Sequence, residues 1–489
     1  MRVLLVNPSS AQDRRAGPYS KLMLPVAPLG LAYLASVARQ GGHEVRVEDQ
    51  YATNRISAQV AKLAEEFGAD VVGFACLSPS MPMVEQTVRE LRRRLPDVHV
   101  TLGNLHAAYF AEELLREWPV DSVVAGEGET PFVELLRRLE ARESLDGAAG
   151  IAYRDGDRVS RGPDGELVQN LDTLPRPAWD LFRLDDYPCP PRFMMHGRFV
   201  PVGASRGCPW DCSYCSQNAL APGVRRRSMD AVLDEIEWMH DESGVSNFGF
   251  VDAIFPLSKK DGFEFARKVK ERGLQDKIRW GTETRCDLVT KDLLIELKSA
   301  GCHFLMYGFE SASKEILDNV DKRLDPQRAI DVMRWSKEIG IGSYGLYMIG
   351  FPNETSDQAR ETIRFSRRLD TDVASFARVT PYPGSPMYEQ YKHLFDGEVK
   401  PWHWNNQYRP ETGEALWRLP GMTHDEITSL LREAVVGYYL RPRIIWRHWR
   451  RGTISVREMA IGAFGLVRDS LGQVMSRWTS SEPRAVASG

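Results

Sequence analysis

The chain has 489 residues, 43% of them apolar, and a formal net charge of −4. That length exceeds what one hydrophobic core organises and implies two or three domains. The small charge excludes a global pull toward nucleic acid, and an odd count of seven cysteines speaks against a disulfide framework. The opening Met1-Arg2-Val3-Leu4-Leu5-Val6-Asn7-Pro8 is too short an apolar run for a secretory signal, and no run reaches the length of a membrane span. A reducing, cytoplasmic location is the expectation.

Residues 1–145 alternate short apolar runs with amphipathic stretches. Strands are predicted at 3–6, 44–48, 71–75, 98–102 and 122–125. Helices are predicted at 29–39, 58–67, 83–95 and 130–139. That order is α/β and makes a doubly wound, Rossmann-like parallel sheet, whose ligands bind beyond the carboxyl ends of the strands. The residues there are Asn7-Pro8-Ser9, Leu77-Ser78-Pro79, Gly103-Asn104-Leu105-His106 and Gly126-Glu127-Gly128-Glu129. Small residues let a bulky planar ligand approach the backbone. There is no G-x-G-x-x-G, which speaks against a dinucleotide. The plainer reading is a regulatory module without a cofactor.

Residues 146–198 read as a linker. It carries a hairpin around Asp155-Gly156-Asp157 and the proline-rich Leu174-Pro175-Arg176-Pro177-Ala178-Trp179-Asp180. Cys189, between prolines, needs no role.

Residues 199–395 resume the alternation in longer units. Six strands (199–204, 247–251, 278–281, 304–309, 343–349, 373–379) and five helices (229–241, 263–272, 291–300, 326–339, 356–369) predict an open, partial (βα)6 barrel. After the first strand comes Ser205-Arg206-Gly207-Cys208-Pro209-Trp210-Asp211-Cys212-Ser213-Tyr214-Cys215. Three thiolates this close can converge on one soft metal centre and leave one position open. A zinc ribbon needs a second pair, and Cys286 and Cys302 are too far apart to supply it. The polar residues at the other strand ends are Asp252, then Glu283 and Arg285, then Glu310 and Ser311, with Gly350-Phe351-Pro352 and a loop holding Tyr382 at the last two.

Residues 396–489 read as a mostly helical domain. Trp402-His403-Trp404-Asn405-Asn406, with Tyr408 and Trp417 nearby, form either a lid or a packed cap. Thr423 and Glu426 have the spacing of a capping box, opening a helix to about residue 440. Arg441 to Arg451 mix five arginines with two tryptophans, and 454–478 is amphipathic. Such a region suits either an interfacial membrane contact or packing on the barrel.

The cysteine spacing, with Tyr214 before the third cysteine, resembles the signature of the radical S-adenosylmethionine (SAM) enzymes. The first domain, its Gly-x-x-His and Gly-Glu-Gly-Glu loops and the proline-rich bridge resemble the cobalamin-dependent branch of that family over roughly the first 440 residues. The resemblance implies a [4Fe–4S] cluster on Cys208, Cys212 and Cys215, with SAM on the fourth iron. It implies SAM contacts from Tyr214, Asp252, Glu283, Arg285, Glu310, Ser311 and Tyr382, and a corrin held near Asn7, Ser78, Gly103, His106, Gly126 and Glu127. His99 lies where some cobalamin domains carry a cobalt ligand. However, Leu102 replaces the glycine of that motif and the strand end is the wrong one, so His99 reads as a surface histidine.

The implied activity is C-methylation of an unactivated carbon through a 5′-deoxyadenosyl radical and methylcobalamin. The substrate would be a small molecule, a lipid or a natural product, and the electron donor a flavodoxin or ferredoxin. The alternatives are cyclisation, oxidation or rearrangement with the same cofactors, and a sensor without catalysis. A methylthiotransferase needs three more cysteines in the first domain, where only Cys76 occurs.

Overall fold

The computed structural model describes residues 1–10, 25–190, 195–220, 222–395, 400 and 416–451. Two sheets dominate. The first contains β1 (Arg2–Asn7), β2 (Glu44–Asp49), β3 (Val71–Ala75), β4 (His99–Gly103) and β5 (Ser122–Val124), paired in the order β2-β1-β3-β4-β5 and all parallel. Between them run α1 (Leu29–Gln40), α2 (Ser57–Phe67), α3 (Met81–Arg94) and α4 (Ala111–Glu117), and α5 (Glu129–Ala141) follows β5. Val3, Leu4, Leu5 and Val6 are all buried, as a parallel strand covered on both faces requires.

The hairpin does not lie in a free linker. Its strands β6 (Ile151–Asp155) and β7 (Arg158–Arg161) add antiparallel to β5 and extend the sheet to seven strands. Pairing β6 with β5 satisfies an edge that would otherwise present unpaired amides. The rest of the bridge straps α1: Arg39 holds Asp180 at 2.8 Å, and the amide of Ala178 donates to the carbonyl of Ala32.

The second sheet has six parallel strands in sequence order. They are β8 (Phe199–Val202), β9 (Asn247–Phe250), β10 (Arg279–Thr284), β11 (Cys302–Glu310), β12 (Gly342–Ile349) and β13 (Val373–Arg378). It stays open, as six units predict. The intervening helices are α6 (Met229–Ser243), α7 (Lys259–Glu271), α8 (Lys291–Ser299), α9 (Pro326–Ile339) and α10 (Ser356–Leu369). Each starts on a side-chain cap: Ser228, Ser258, Thr290, Asp325 and Thr355 accept an amide of the first turn. Helices α11 (His424–Tyr439) and α12 (Pro442–Arg451) close the described chain, and Thr423 and Glu426 form the expected capping box.

Under the barrel's first strands, Phe250 and Phe255 stack at 3.9 Å, and Phe265 and Trp280 meet both rings edge-on. Trp280 is fully buried, and its Nε1 donates to the Ala300 carbonyl at 2.7 Å. Removing an aromatic from such a box leaves a cavity and an orphaned acceptor. Trp280→Ala should therefore lower unfolding stability by about 3–5 kcal/mol, read as a lower urea midpoint.

Candidate active site

The carboxyl ends of the two sheets face one another across a chamber of about 530 Å³. Asn7, Ala75, Gly103, Asn104 and Gly126 line it from the first sheet; Gly203, Ser205, Gly207, Val251 and Asp252 line it from the second. A side pocket of about 220 Å³ shares Gln217 and Asp252 with the chamber and reaches Phe199, Glu283 and Met306 inside the barrel. A Cβ on Gly103 would meet nothing nearer than 3.8 Å, so a side chain there would fill the cradle without displacing protein.

Arginines join the two sheet ends. Arg206, two residues before Cys208, holds Glu129 at 2.5 Å and Glu127 at 3.1 Å; Arg225 holds Glu127 at 2.6 Å. Desolvation alone would raise the Glu127 carboxyl, but Arg225 and Arg206 outweigh it and hold it below its usual range. Glu127, expected beside a ligand, is therefore engaged in clamping the first domain to the cysteine loop. Arg227 bonds Glu235 at 2.8 Å, and Tyr33 of α1 bonds the same carboxylate at 3.3 Å. Sequence reading missed Arg206, Arg225, Arg227, Tyr33 and Glu235, and noted Glu129 only within the Gly126-Glu127-Gly128-Glu129 loop. The one further signal was the basic run Arg225-Arg226-Arg227.

The cysteine loop is held from three sides. Ser213 donates its amide to the carbonyl of Val320 at 3.1 Å and accepts the amide of Met387 at 2.8 Å. The Cys208 amide donates to Asn218 Oδ1 at 3.1 Å. The Gln217 amide donates to Cys215 Sγ at 3.4 Å, a bond that favours a thiolate. Burial pushes the Cys208 thiol up and the neighbouring Cys212 adds to this, while the Trp210 amide, Arg285 and Lys322 oppose it. Cys215 feels both other thiols. Among the described residues no three His, Cys, Asp or Glu side chains are drawn close enough to hold an ion unaided. Three neighbouring thiols, amide donors on Cys208 and Cys215 and cations beside them nonetheless fit an anionic thiolate cluster with one site left for another ligand.

The other expected residues divide. Glu310 is buried in the left-handed region at φ 60°, where β11 shifts register against β12. Backbone strain of that kind persists only where the surroundings enforce it. Its carboxylate pairs with Lys322 at 3.1 Å and bonds the Tyr214 hydroxyl. Tyr214 meets Phe351 edge-on at 5.8 Å. Arg285, buried, holds Asp287 at 2.9 Å, donates to the Lys322 carbonyl at 2.8 Å and lies over the Trp210 ring. Asp252 accepts the Ala204 amide and, at 2.5 Å, the Ser205 hydroxyl. It thereby fixes the strand end from which the cysteine loop departs. Lys322 was not anticipated; it lies in the turn at 320–323 that buttresses the loop.

Four residues expected beside a ligand, Ser311, Ser78, His106 and Tyr382, lie outside the chamber lining, and His99 differs in burial. Ser311 is buried, with its hydroxyl at hydrogen-bond distance from Thr362 on α10 and accepting the Ser313 amide, so it serves the helix layer. Ser78 and His106 bond one another at 2.8 Å, His106 packs against Phe110, and neither lines the chamber. Tyr382 is half-buried against the first domain's core. His99 is half-buried rather than on the surface; it bonds Ser122 at 2.8 Å, at the amino ends of β4 and β5, opposite the chamber. Residues 402–408 and 454–478 lie outside the described residues, whereas Trp417 is buried against Tyr388 and Phe395.

Asn7, on the chamber wall, is held by Asp49, which accepts its Nδ2 at 2.9 Å and the Tyr187 hydroxyl at 2.9 Å. Burial pushes Asp49 up to about 6, against those hydrogen bonds. A folded value above the unfolded one means stability present below about pH 4 and lost as pH rises through 6. Urea unfolding of the parent should fall over that interval relative to Asp49→Asn, by on the order of 3 kcal/mol.

The family model for the B12 binding domain matches residues 20–136, and that for the Radical SAM superfamily matches residues 202–366. An uncharacterised methyltransferase of Pyrococcus horikoshii is 33% identical, over 91% of this chain and 94% of its own. The anaerobic magnesium-protoporphyrin IX monomethyl ester cyclase of Cereibacter sphaeroides is 28% identical, over 94% and 74%. Among solved structures, the radical S-adenosylmethionine methyltransferase TsrM of Kitasatospora setae, with cobalamin and a [4Fe–4S] cluster bound, shares the fold. Its TM-score is 0.68 at 18% identity, covering 90% of this chain and 89% of that one.

Proposed function

This chain belongs to the cobalamin-dependent radical SAM enzymes, and on that footing we propose that it is a C-methyltransferase acting on an unactivated carbon of a small molecule. The observation that carries the reading is the single chamber into which both sheets open, with the cysteine loop on its rim. When bound, the cluster supplies the electron that splits SAM and the corrin supplies the methyl group.

The chain's own residues bind and orient. Arg285 presents a buried guanidinium beside Cys212, and an incoming carboxylate would compete with Asp287 for its fork. Glu310, fixed by Lys322 and Tyr214, suits the ammonium of the same ligand. Asp252 holds the strand end and is a positioning residue. Glu283 and Gln217, on the side pocket, are placed for the nucleoside or the substrate. Gly103 and Gly126 leave the corrin its room, and the Arg206 and Arg225 clamp fixes the distance between the two halves. The apolar lining, from Leu5 and Phe74 to Val251, excludes water from a reactive intermediate. A reduced flavodoxin or ferredoxin is the class of electron donor this chemistry requires.

Anaerobic incubation with methyl-deuterated SAM, reductant and substrate should yield labelled product with equal amounts of 5′-deoxyadenosine and S-adenosylhomocysteine. Deoxyadenosine without S-adenosylhomocysteine would instead favour a cyclase, the activity named for the Cereibacter sphaeroides relative, or an oxidase. Gly103→Leu should fold normally yet lose bound corrin, measured by visible absorbance, by ten-fold or so.

A further inference from the structure

Helix α12 carries large apolar groups on both faces. Its inner face buries Ile444 in the barrel core and sets polar groups beside it: Arg447 Nη2 lies 2.6 Å from Asp370, and His448 Nε2 donates to the Asp372 carbonyl at 2.9 Å. Asp370 is a buried hub, also met by Arg441 at 3.4 Å, Arg443 at 3.3 Å and Lys337 at 3.4 Å. The outer face carries the exposed apolar groups. Ile445 is 41% exposed, Trp446 55% and Trp449 60%, with Leu440 just before the helix at 56%. On a helical wheel Ile445, Trp449, Pro442 and Trp446 form one stripe, bordered on the Trp446 side by Arg450 and then Arg443. The Arg450 guanidinium lies over the Trp446 ring at 5.2 Å.

The charge is as uneven as the apolarity. From residue 434 to 457 the sequence contains six arginines and no Asp or Glu, although the whole chain carries −4. A monomer gains nothing by turning two tryptophans outward while spending an ion-pair hub to hold the helix in that orientation. Tryptophan suits a water–hydrocarbon boundary, and arginines beside it suit anionic headgroups.

We infer that the outer face of α12 docks the protein on an anionic lipid surface. Asp370 caps α10 and Asp372 precedes β13, so α12 packs at the amino ends of the barrel strands. The chamber opens at the opposite end, and docking leaves it unobstructed. No helix among the described residues is long and apolar enough to cross a membrane, so the contact is peripheral.

The test is co-sedimentation of the full chain with phosphatidylcholine vesicles carrying about one third phosphatidylglycerol, compared with phosphatidylcholine alone. The expected result is retention on the anionic vesicles that falls with added salt. The pair Trp446→Ser with Trp449→Ser should weaken it on the order of ten-fold, and Arg450→Gln, which lies outside the Asp370 hub, about five-fold. Circular dichroism and deoxyadenosine release should be unchanged in both. Absence of sedimentation, or retention that the variants do not alter, overturns the proposal. A dimer of the parent that the tryptophan variant dissolves also overturns it, and assigns the face to a second copy.

Discussion

Replacing Cys208, Cys212 and Cys215 together by alanine is expected to leave a folded protein without iron–sulfur absorbance and without measurable 5′-deoxyadenosine release. The loop that carries them is tied by backbone bonds to Val320 and Met387 and by Asn218 to the Cys208 amide, none of which needs a thiol. The fold should therefore survive, and unfolding stability should move by less than about 1 kcal/mol. Iron and sulfide content should fall to background, because the sequence places no other three cysteines close together. Cys76, Cys189, Cys286 and Cys302 are buried and cannot substitute.

The second large effect is at Gly207. Its φ is +85°, and a Cβ there would stand 1.8 Å from the carbonyl oxygen of Gly223. Neither can be relieved by rotating a side chain, because the clash is with backbone. Gly207 lies between Arg206, which clamps Glu127 and Glu129, and Cys208. Gly207→Ala should therefore shift the cysteine loop relative to the first domain and cut cluster occupancy at least ten-fold, while far-ultraviolet circular dichroism stays near that of the parent. Occupancy and deoxyadenosine yield should fall together. Full occupancy with normal turnover would mean that this turn does not set the loop's position.

The strands of both sheets were legible because buried parallel strands write themselves as β-branched runs, as at Val71-Val72 or Val3 to Val6. The cysteine motif was legible because its chemistry depends on spacing alone. The clamp was not. Glu127 reads in sequence as a ligand-side residue and Arg206 carries no signal of its own, and only the packing of two domains makes them partners. Lys322 was hidden for the same reason, since the turn that carries it meets the cysteine loop through tertiary contacts 109 residues apart in sequence. The hairpin's place in the first sheet depends on which edge is free, which no local pattern records. Ser78 and His106 bond one another instead of lining the chamber, because a strand end offers polar residues to the core as well as to the ligand side. The orientation of α12 could not be read either, because an amphipathic pattern does not say which stripe faces inward.

The central claim is that one chamber brings an open thiolate cluster and a corrin against the same substrate. The direct measurement is the visible spectrum of anaerobically purified protein, with iron, sulfide and corrin quantified, before and after addition of SAM and reductant. The account predicts about four iron atoms and one corrin per chain, and a corrin spectrum that changes on turnover. A protein that cleaves SAM at full rate while holding no corrin would contradict it.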